Sequence, residues 1–360
     1  MSLAQSFREL VSGRRKGLAA RSLLALLAAA EQPYAWAVRR RNARFDRDPA
    51  AAVRVPAPVV SVGNLTVGGT GKTPFVAWLA QWFCGQGVPV TLISRGYGAR
   101  RGLPNDEALE LAARLPGVPH LQNPDRVAAA RQALATRPRQ VLVLDDAFQH
   151  RRLARDLDIV LLDALAPFGF GRLLPRGLLR EPVESLARAQ VIALSRSNAV
   201  APVERQAIER RVQQVAPHAT WLELVHRPTQ LVAASGQSCA PSALAGQPVA
   251  AFCGIGNPEG FRHSLAACGL VVSDLLPLPD HCPYGPARVQ QLARWLGQQP
   301  QVKHVICTRK DLVKLERDEL AGRRLWALDI ELEITRGAAE LVARLAPLAQ
   351  RAQRQTGLDR

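Results

Sequence analysis

The sequence predicts an α/β protein: a mostly parallel sheet flanked by helices, followed by a second, smaller α/β unit and preceded by a basic helical segment. Three observations carry that expectation. Short apolar runs rich in β-branched residues recur at 59–62, 88–93, 140–144, 158–163 and 190–195, each separated from the next by a longer helical or loop stretch. The first run opens into a glycine-rich loop and then Gly71-Lys72-Thr73 at the start of a helix. At 360 residues the chain has room for about two domains and a large core.

The stretch Pro58–Phe75, PVVSVGNLTVGGTGKTPF, organises the rest. Val59, Val60 and Val62 suit a buried strand. Gly68, Gly69, Thr70 and Gly71 would turn backbone N–H groups toward phosphate oxygens, Lys72 would reach the β- and γ-phosphates of ATP, and the Thr73 hydroxyl would face Mg²⁺. The helix N-terminus adds partial positive charge, and Pro74 fits its first turn, where no N–H is missed. Thr66 stands where the usual P-loop has glycine. An accidental Gly-Lys-Thr in a surface turn is the competing reading, and the strand-loop-helix setting argues against it.

Lys and Arg number 47 against 30 Asp and Glu, a formal charge of +17, which points to an anionic partner. Residues 1–47 hold ten of the basic residues and only three acids, Glu9, Glu31 and Asp46. Within them Leu18–Ala30 is almost wholly apolar, and no small-residue cleavage site with a polar mature start follows it. As a helix, thirteen residues span ~20 Å, short of the ~30 Å hydrocarbon core. The expectation is therefore a helix lying on an anionic membrane surface, with Tyr34 and Trp36 at headgroup level. A helix packed on the globular body is the alternative. Six scattered cysteines with no Cys-x-x-Cys read as reduced thiols.

Along the chain, 88–93 ends in Ser94-Arg95-Gly96-Tyr97-Gly98, a loop where parallel sheets bind ligands. Asn105-Asp106-Glu107 offers adjacent carboxylates that alone read as a solvated loop, and Asp125-Arg126 opens an alanine-rich helix. The strand at 140–144 closes in Asp145-Asp146, where a nucleotide site needs carboxylates for Mg²⁺; one is expected on the metal and the other bonded to its loop. Between 168 and 181 exposed-looking apolar residues mix with Arg172, Arg176 and Arg180, which suit either a lipid phosphate or nearby acids. The expected division is a membrane-associating segment over 1–50, a P-loop domain over 51–225, a linker rich in Pro, Gly and Ser over 226–247, and a second α/β domain over 248–360. In that last part come strands at 248–253, 276–280 and 303–308, a Gly254-Ile255-Gly256 turn that is weak evidence for phosphate binding, and a closing helix over 337–353.

In this order GNLTVGGTGKTP, SRGYG, DDAFQH, LLREP, FCGIGNPEGF and LPDH strongly resemble the tetraacyldisaccharide 4′-kinase family of lipid A biosynthesis, over about residues 10–345. Thr66 is shared with that family. Asn105, Ala108, Ala147 and Arg309 depart from its pattern, the first two in a way that touches loop shape. The resemblance implies transfer of the ATP γ-phosphate to the 4′-hydroxyl of an acylated glucosamine disaccharide 1-phosphate, with Mg²⁺, at the cytoplasmic face of the inner membrane. It implies Asp106 as base paired with His281, Lys72 at the transferring phosphate, and Arg95, Tyr97, Glu107, Arg126, Gln149 and Arg180 at the substrate. Thr73, Asp145 and Asp146 become the metal set.

Two other classes fit less. A P-loop switch or partitioning-type ATPase would need nucleotide-dependent dimerisation, and no obligate protein partner is expected. A nucleic-acid binder would want a basic, aromatic-interleaved face near the P-loop, whereas the basic excess lies at an apolar N-terminus.

Overall fold

A computed structural model of the chain describes residues 3–96, 105–280 and 282–354. Two N-terminal helices, α1 (Leu3–Val11) and α2 (Leu18–Arg47), precede β1 (Val59–Asn64), which is buried throughout and runs through the P-loop into α3 (Lys72–Gly85). There follow β2 (Val90–Ser94), α4 (Asp106–Arg114), β3 (His120–Gln122), α5 (Arg126–Thr136), β4 (Val141–Asp145), β5 (Leu157–Asp163), β6 (Val191–Ser195) and α6 (Pro202–Val215). The long β7 (Thr220–Val232) leads through β8 (Ser238–Cys239) to β9 (Pro248–Cys253), α7 (Pro258–Ala267), β10 (Val271–Pro277), α8 (Pro286–Gly297), β11 (His304–Thr308), α9 (Arg309–Leu315), β12 (Glu319–Leu320), β13 (Arg323–Arg336) and α10 (Ala338–Arg354).

One sheet runs through all of this, in the order β10-β9-β11-β13-β7-β6-β5-β1-β4-β2-β3. From β7 to β3 every pairing is parallel, and so is every pairing from β13 to β10. The two halves meet in one antiparallel seam, β7 against β13. β6 pairs only with the start of β7, Thr220 to Glu223, whereas β11 pairs with the start of β13, whose Leu328 lies opposite Leu231. Between those ends the seam is a two-stranded ribbon, and the antiparallel sense turns the carboxyl ends of both half-sheets toward each other across it.

The segment expected as a linker at 226–247 thus begins inside β7, a strand that polar residues and Pro228 disguise: Leu222 and Leu224 join the core shared with α3, while the adjacent Leu231 and Val232 enter the two separate cores of the second half-sheet. Strand β10 starts earlier than the expected 276. The closing helix forms as expected, but its stripe of Leu341, Leu345, Ala349 and Ala352 packs against β7 and β4, in the same core as Phe75, Leu79 and Phe83 of α3, and so returns α10 to the first half-sheet.

The N-terminal helix is longer than thirteen residues: α2 runs for 30, about 45 Å at 1.5 Å per residue. Pro33 costs it only the bond to Ala29, an exposed residue where solvent can take the carbonyl. The packed reading holds for the second part of the helix, while much of the first part is exposed. Leu18, Leu26 and Trp36 are 81%, 69% and 63% exposed, and no described helix is long and apolar enough to cross a membrane. From Glu31 onward one face docks on the 165–188 loop. The Leu173 N–H donates to Glu31 Oε1 at 2.8 Å and Tyr34 Oη donates to the Arg180 carbonyl at 2.9 Å.

The anchor of that docking is Glu181, whose side chain is wholly buried and accepts from Arg41 (2.6 Å), Asn42 (3.2 Å) and Arg188 (2.8 Å). Removing one member of a buried ion cluster strands the others. Glu181→Ala is expected to lower unfolding free energy by about 3 kcal/mol, measured by chemical denaturation, and to expose the α2 junction to limited proteolysis. A loss below about 1 kcal/mol would show that apolar packing alone seats the helix.

Candidate active site

The P-loop closes on Gly71, which caps α3 at φ 82° in the left-handed region. A Cβ there would stand 2.6 Å from the His226 ring and 2.8 Å from Ser195 Oγ, so glycine is required both for conformation and for space. The loop opens on a cavity of about 1350 Å³ lined by Gly68 to Pro74, the ends of β2 and β4, and the turn after β9. Lys72 Nζ lies 3.5 Å from Asp146 Oδ1. Arg180 Nη1 donates to both oxygens of the same carboxylate, at 2.8 and 2.9 Å.

The two adjacent aspartates are in opposite states. Asp146 takes a left-handed φ of 52° that swings its side chain to the two cations. Burial would raise its pKa, but Lys72 and Arg180 outweigh burial and hold it at about 2. Asp145 ends β4, and burial pushes it up to about 7 against the pull of Lys72. Its Oδ1 is buried without a hydrogen-bond partner among the described residues, as is Thr70 Oγ1. A buried carboxylate oxygen without a donor is what a cation site looks like from the protein side. With the Thr73 hydroxyl beside the P-loop, this all-oxygen donor set fits Mg²⁺, which is held by one or two carboxylates plus substrate phosphate.

Beyond Asp146 lies a basic wall. Arg126, 3% exposed, donates to the Pro124 carbonyl at 3.2 Å while its Nε has no partner; burial and Arg95 lower its pKa. Arg95 and Glu107 also line the cavity. Glu107 accepts from Asn105 Nδ2 at 2.9 Å, and Asn105 caps α4 by accepting from the Ala108 N–H, so both departures from the resembled pattern are absorbed in an ordinary helix start. Gln149 donates to the Asn64 carbonyl at 3.0 Å and so ties the Asp-Asp loop to β1. Of the three arginines in the 168–181 loop, Arg180 takes the ion-pair reading through Asp146.

Asp106, the expected base, is the first residue of α4 and points at α9: Lys314 Nζ lies 3.1 Å from its Oδ2 and also donates to the Cys282 carbonyl at 2.9 Å. It is not among the residues lining the cavity. Its expected partner His281, and Tyr97, lie outside the described residues. Asp280 pairs with Lys310 at 3.0 Å, and the Cys282 carbonyl accepts from Lys314.

The far wall comes from the second half-sheet. Asp311, fully buried at the start of α9, accepts from the Gly254 N–H (3.2 Å), Tyr284 Oη (2.7 Å) and Thr308 Oγ1 (2.6 Å). It thereby fixes the 254–257 turn, whose Asn257 caps α7. A Cβ on Gly256 would lie 3.8 Å from the Gly69 nitrogen, so this turn faces the P-loop directly. Arg309 pairs with Asp329 of β13 at 3.2 Å.

Sequence reasoning passed over His226, Ser195, Arg196 and Lys314. Arg196 Nη2 donates to the Gly69 carbonyl at 3.0 Å, and its Nε to Asp163 at 3.0 Å. A signal existed: Ser195-Arg196 after β6 repeats Ser94-Arg95 after β2, at the same carboxyl edge. His226 had no signal, because its strand was read as a linker.

The tetraacyldisaccharide-1-P 4′-kinase family model matches residues 23–348. A tetraacyldisaccharide 4′-kinase of Anaeromyxobacter dehalogenans (strain 2CP-C) is 40% identical over 336 residues, 88% of each chain. One from Chromobacterium violaceum is 37% identical over 340 residues, covering 90% of this chain and 94% of its own. The crystal structure of LpxK from Aquifex aeolicus in complex with ATP superposes with a TM-score of 0.69 at 27% identity, covering 91% of this chain and 99% of that one.

Because Arg180 shares Asp146 with Lys72, Arg180→Ala leaves the carboxylate to draw Lys72 away from incoming phosphate. Steady-state kinetics are expected to show kcat lower by about 10–100-fold, the loss of a few kcal/mol of charge positioning. Unchanged kcat in a folded variant would make the pair a scaffold only.

Proposed function

Since the chain belongs to the tetraacyldisaccharide-1-P 4′-kinase family, we propose that it moves the γ-phosphate of ATP to the 4′-hydroxyl of a tetraacylated glucosamine disaccharide 1-phosphate, the kinase step of lipid A biosynthesis. The observation that carries this reading in the structure is the Lys72–Asp146–Arg180 chain at the mouth of a P-loop, opening on a cavity with room for both a nucleotide and a sugar headgroup.

Phosphoryl transfer asks for in-line positioning and charge neutralisation more than for covalent chemistry. The amides of Gly68 to Gly71 and the α3 N-terminus hold the β- and γ-phosphates, and Lys72 stabilises charge on the transferring group. Asp145 and Thr73 would hold Mg²⁺, which would supply charge neutralisation to the nucleotide phosphates; Asp146, committed to Lys72 and Arg180, orients those two side chains. Arg126 and Arg95 receive the acceptor's anionic part. Asp106 takes the hydroxyl proton, with His281 orienting it, and Lys314 keeps the carboxylate fixed until the acceptor is in place.

The acceptor reaches the cavity from a membrane. Exposed Leu18, Leu23, Leu26 and Trp36 and the arginines of α2 form an apolar and cationic surface suited to an anionic leaflet. This surface supports a position at the cytoplasmic face of the inner membrane, where ATP and the lipid meet.

The deciding experiment is phosphate transfer from radiolabelled ATP to the acylated disaccharide 1-phosphate in detergent. Lys72→Ala is expected to cut turnover by about two to four orders of magnitude, and Asp106→Ala by about 10²–10⁴ with little change in apparent ATP affinity. A folded Lys72→Ala retaining more than a tenth of turnover would remove the P-loop from the mechanism.

Changing Leu18, Leu23, Leu26 and Trp36 together to Ser is expected to abolish sedimentation with anionic vesicles and leave the thermal midpoint in place, since all four side chains are exposed. Retained vesicle binding would put the membrane contact elsewhere.

A further inference from the structure

The proposed activity leaves one constellation beneath the P-loop without a role. His226 sits midway along β7, opposite Leu332 of β13. Its Cε1 and Nε2 both lie 2.6 Å from where a Gly71 Cβ would be, and Nε2 is 3.3 Å from Ser195 Oγ. The ring also reaches the cavity wall. Burial, with Arg196 adding to it, lowers its pKa to about 4, so near neutral pH the imidazole is uncharged and one ring nitrogen donates while the other accepts.

The loop above this ring has little else to hold it in shape. Gly68, Gly69 and Gly71 carry no side chains, and Gly68 and Gly71 both take positive φ, at 112° and 82°. Glycine backbone loses more freedom on ordering than any other, so a loop of this composition either is ordered by its ligand at a cost in affinity or is ordered beforehand by its surroundings. Asn64 Nδ2 donates to the Gly68 carbonyl at 3.5 Å, and two further contacts bear on the residues just before Lys72. Arg196, itself paired to Asp163, holds the Gly69 carbonyl, and the His226 ring with Ser195 fills the space under Gly71, the residue directly before Lys72.

We propose that His226, with Ser195, is a positioning residue for the nucleotide: it props Gly71 in the conformation that presents the P-loop amides and Lys72 to the phosphates. The inference rests on the ATP-site reading above and concerns affinity for the polyphosphate, not the acceptor. It differs from a general packing role in what it leaves untouched. A residue that only fills the core would change stability and every kinetic constant together, whereas this one acts on nucleotide constants alone.

The test titrates the full chain and its His226→Ala, His226→Gln and His226→Phe variants with ADP and Mg²⁺ by calorimetry, then measures kcat and both KM values. His226→Ala is expected to weaken ADP binding and raise KM for ATP about tenfold, with KM for the acceptor unchanged. Gln, whose amide can meet Ser195 where Nε2 did, is expected within about threefold of the parent; Phe keeps the bulk, loses the polar contact and stays impaired. Parental ADP affinity in His226→Ala overturns the proposal, as does a Gln variant no better than Ala. Should His226→Ala fail to fold, Ser195→Ala decides: about threefold weaker ADP binding supports the proposal and parental binding overturns it. A parent chain that binds no ADP would instead overturn the nucleotide-site reading itself, so the two failures are distinct.

Discussion

The antiparallel ribbon of β7 and β13 is the constraint on which the rest of the structure depends. Parallel half-sheets collect ligand-binding loops at their carboxyl ends, and a single continuous parallel sheet would put all such loops along one edge. Here the seam reverses direction, and because β6 and β11 pair with opposite ends of the ribbon, the two carboxyl edges face one another. From Glu223, the last residue paired to β6, to Leu231 is eight residues, about 26 Å at 3.3 Å per residue. That is the scale of a cleft for a nucleotide and a disaccharide. The P-loop and the Asp-Asp loop project from one side, the 254–257 turn and the start of α9 from the other, and His226 lies on the floor between them.

How much of this was legible follows from what each signal depends on. The P-loop, the Asp145-Asp146 pair and the five apolar runs are local: each needs only its own side chains, and each was found where the structure has it. The ribbon is not local. The second half of Thr220–Val232, from His226 through Arg227 and Pro228, reads by composition as the start of a linker, although 329–334 in β13 alternates Asp-Ile-Glu-Leu-Glu-Ile, the period-two pattern of a half-buried strand. The return of α10 to the first half-sheet had no signal in spacing, since an apolar stripe says that a helix packs but not on what. Asp106 illustrates the same limit at the site: its motif was visible in sequence, its engagement with Lys314, 208 residues away, was not.

Asp145 and Asp146 show how one backbone angle divides labour between identical side chains. Had Asp146 continued the strand, the two carboxylates would have alternated across the sheet in the ordinary way. The left-handed turn at Asp146 breaks that alternation. It brings this side chain under Lys72 and Arg180, which satisfy it, and leaves Asp145 buried with an oxygen unmet. Two carboxylates equally exposed to Lys72 would each be half-neutralised. Separating them gives one that fixes the lysine and one whose unmet oxygen is available to a divalent ion.

The same separation of roles between neighbours recurs at Arg180 and Glu181, and it connects α2 to the active site. Arg180 reaches inward to Asp146, while Glu181 reaches outward to Arg41 and Asn42 of α2. Tyr34 of α2 binds the carbonyl of Arg180 itself, and Tyr34 and Arg41 both line the cavity. The docked part of α2 is therefore a wall of the active site, and its exposed apolar part continues from that wall. On the proposed function an acceptor whose acyl chains stay in the bilayer has a short path to the phosphate, along one helix and past one loop. A helix anchored only by apolar packing could slide along its axis without much cost. Hydrogen bonds from Leu173, Tyr34, Arg41 and Asn42 fix its register. On the proposed function, the depth of the site below the membrane surface thereby becomes a property of the fold.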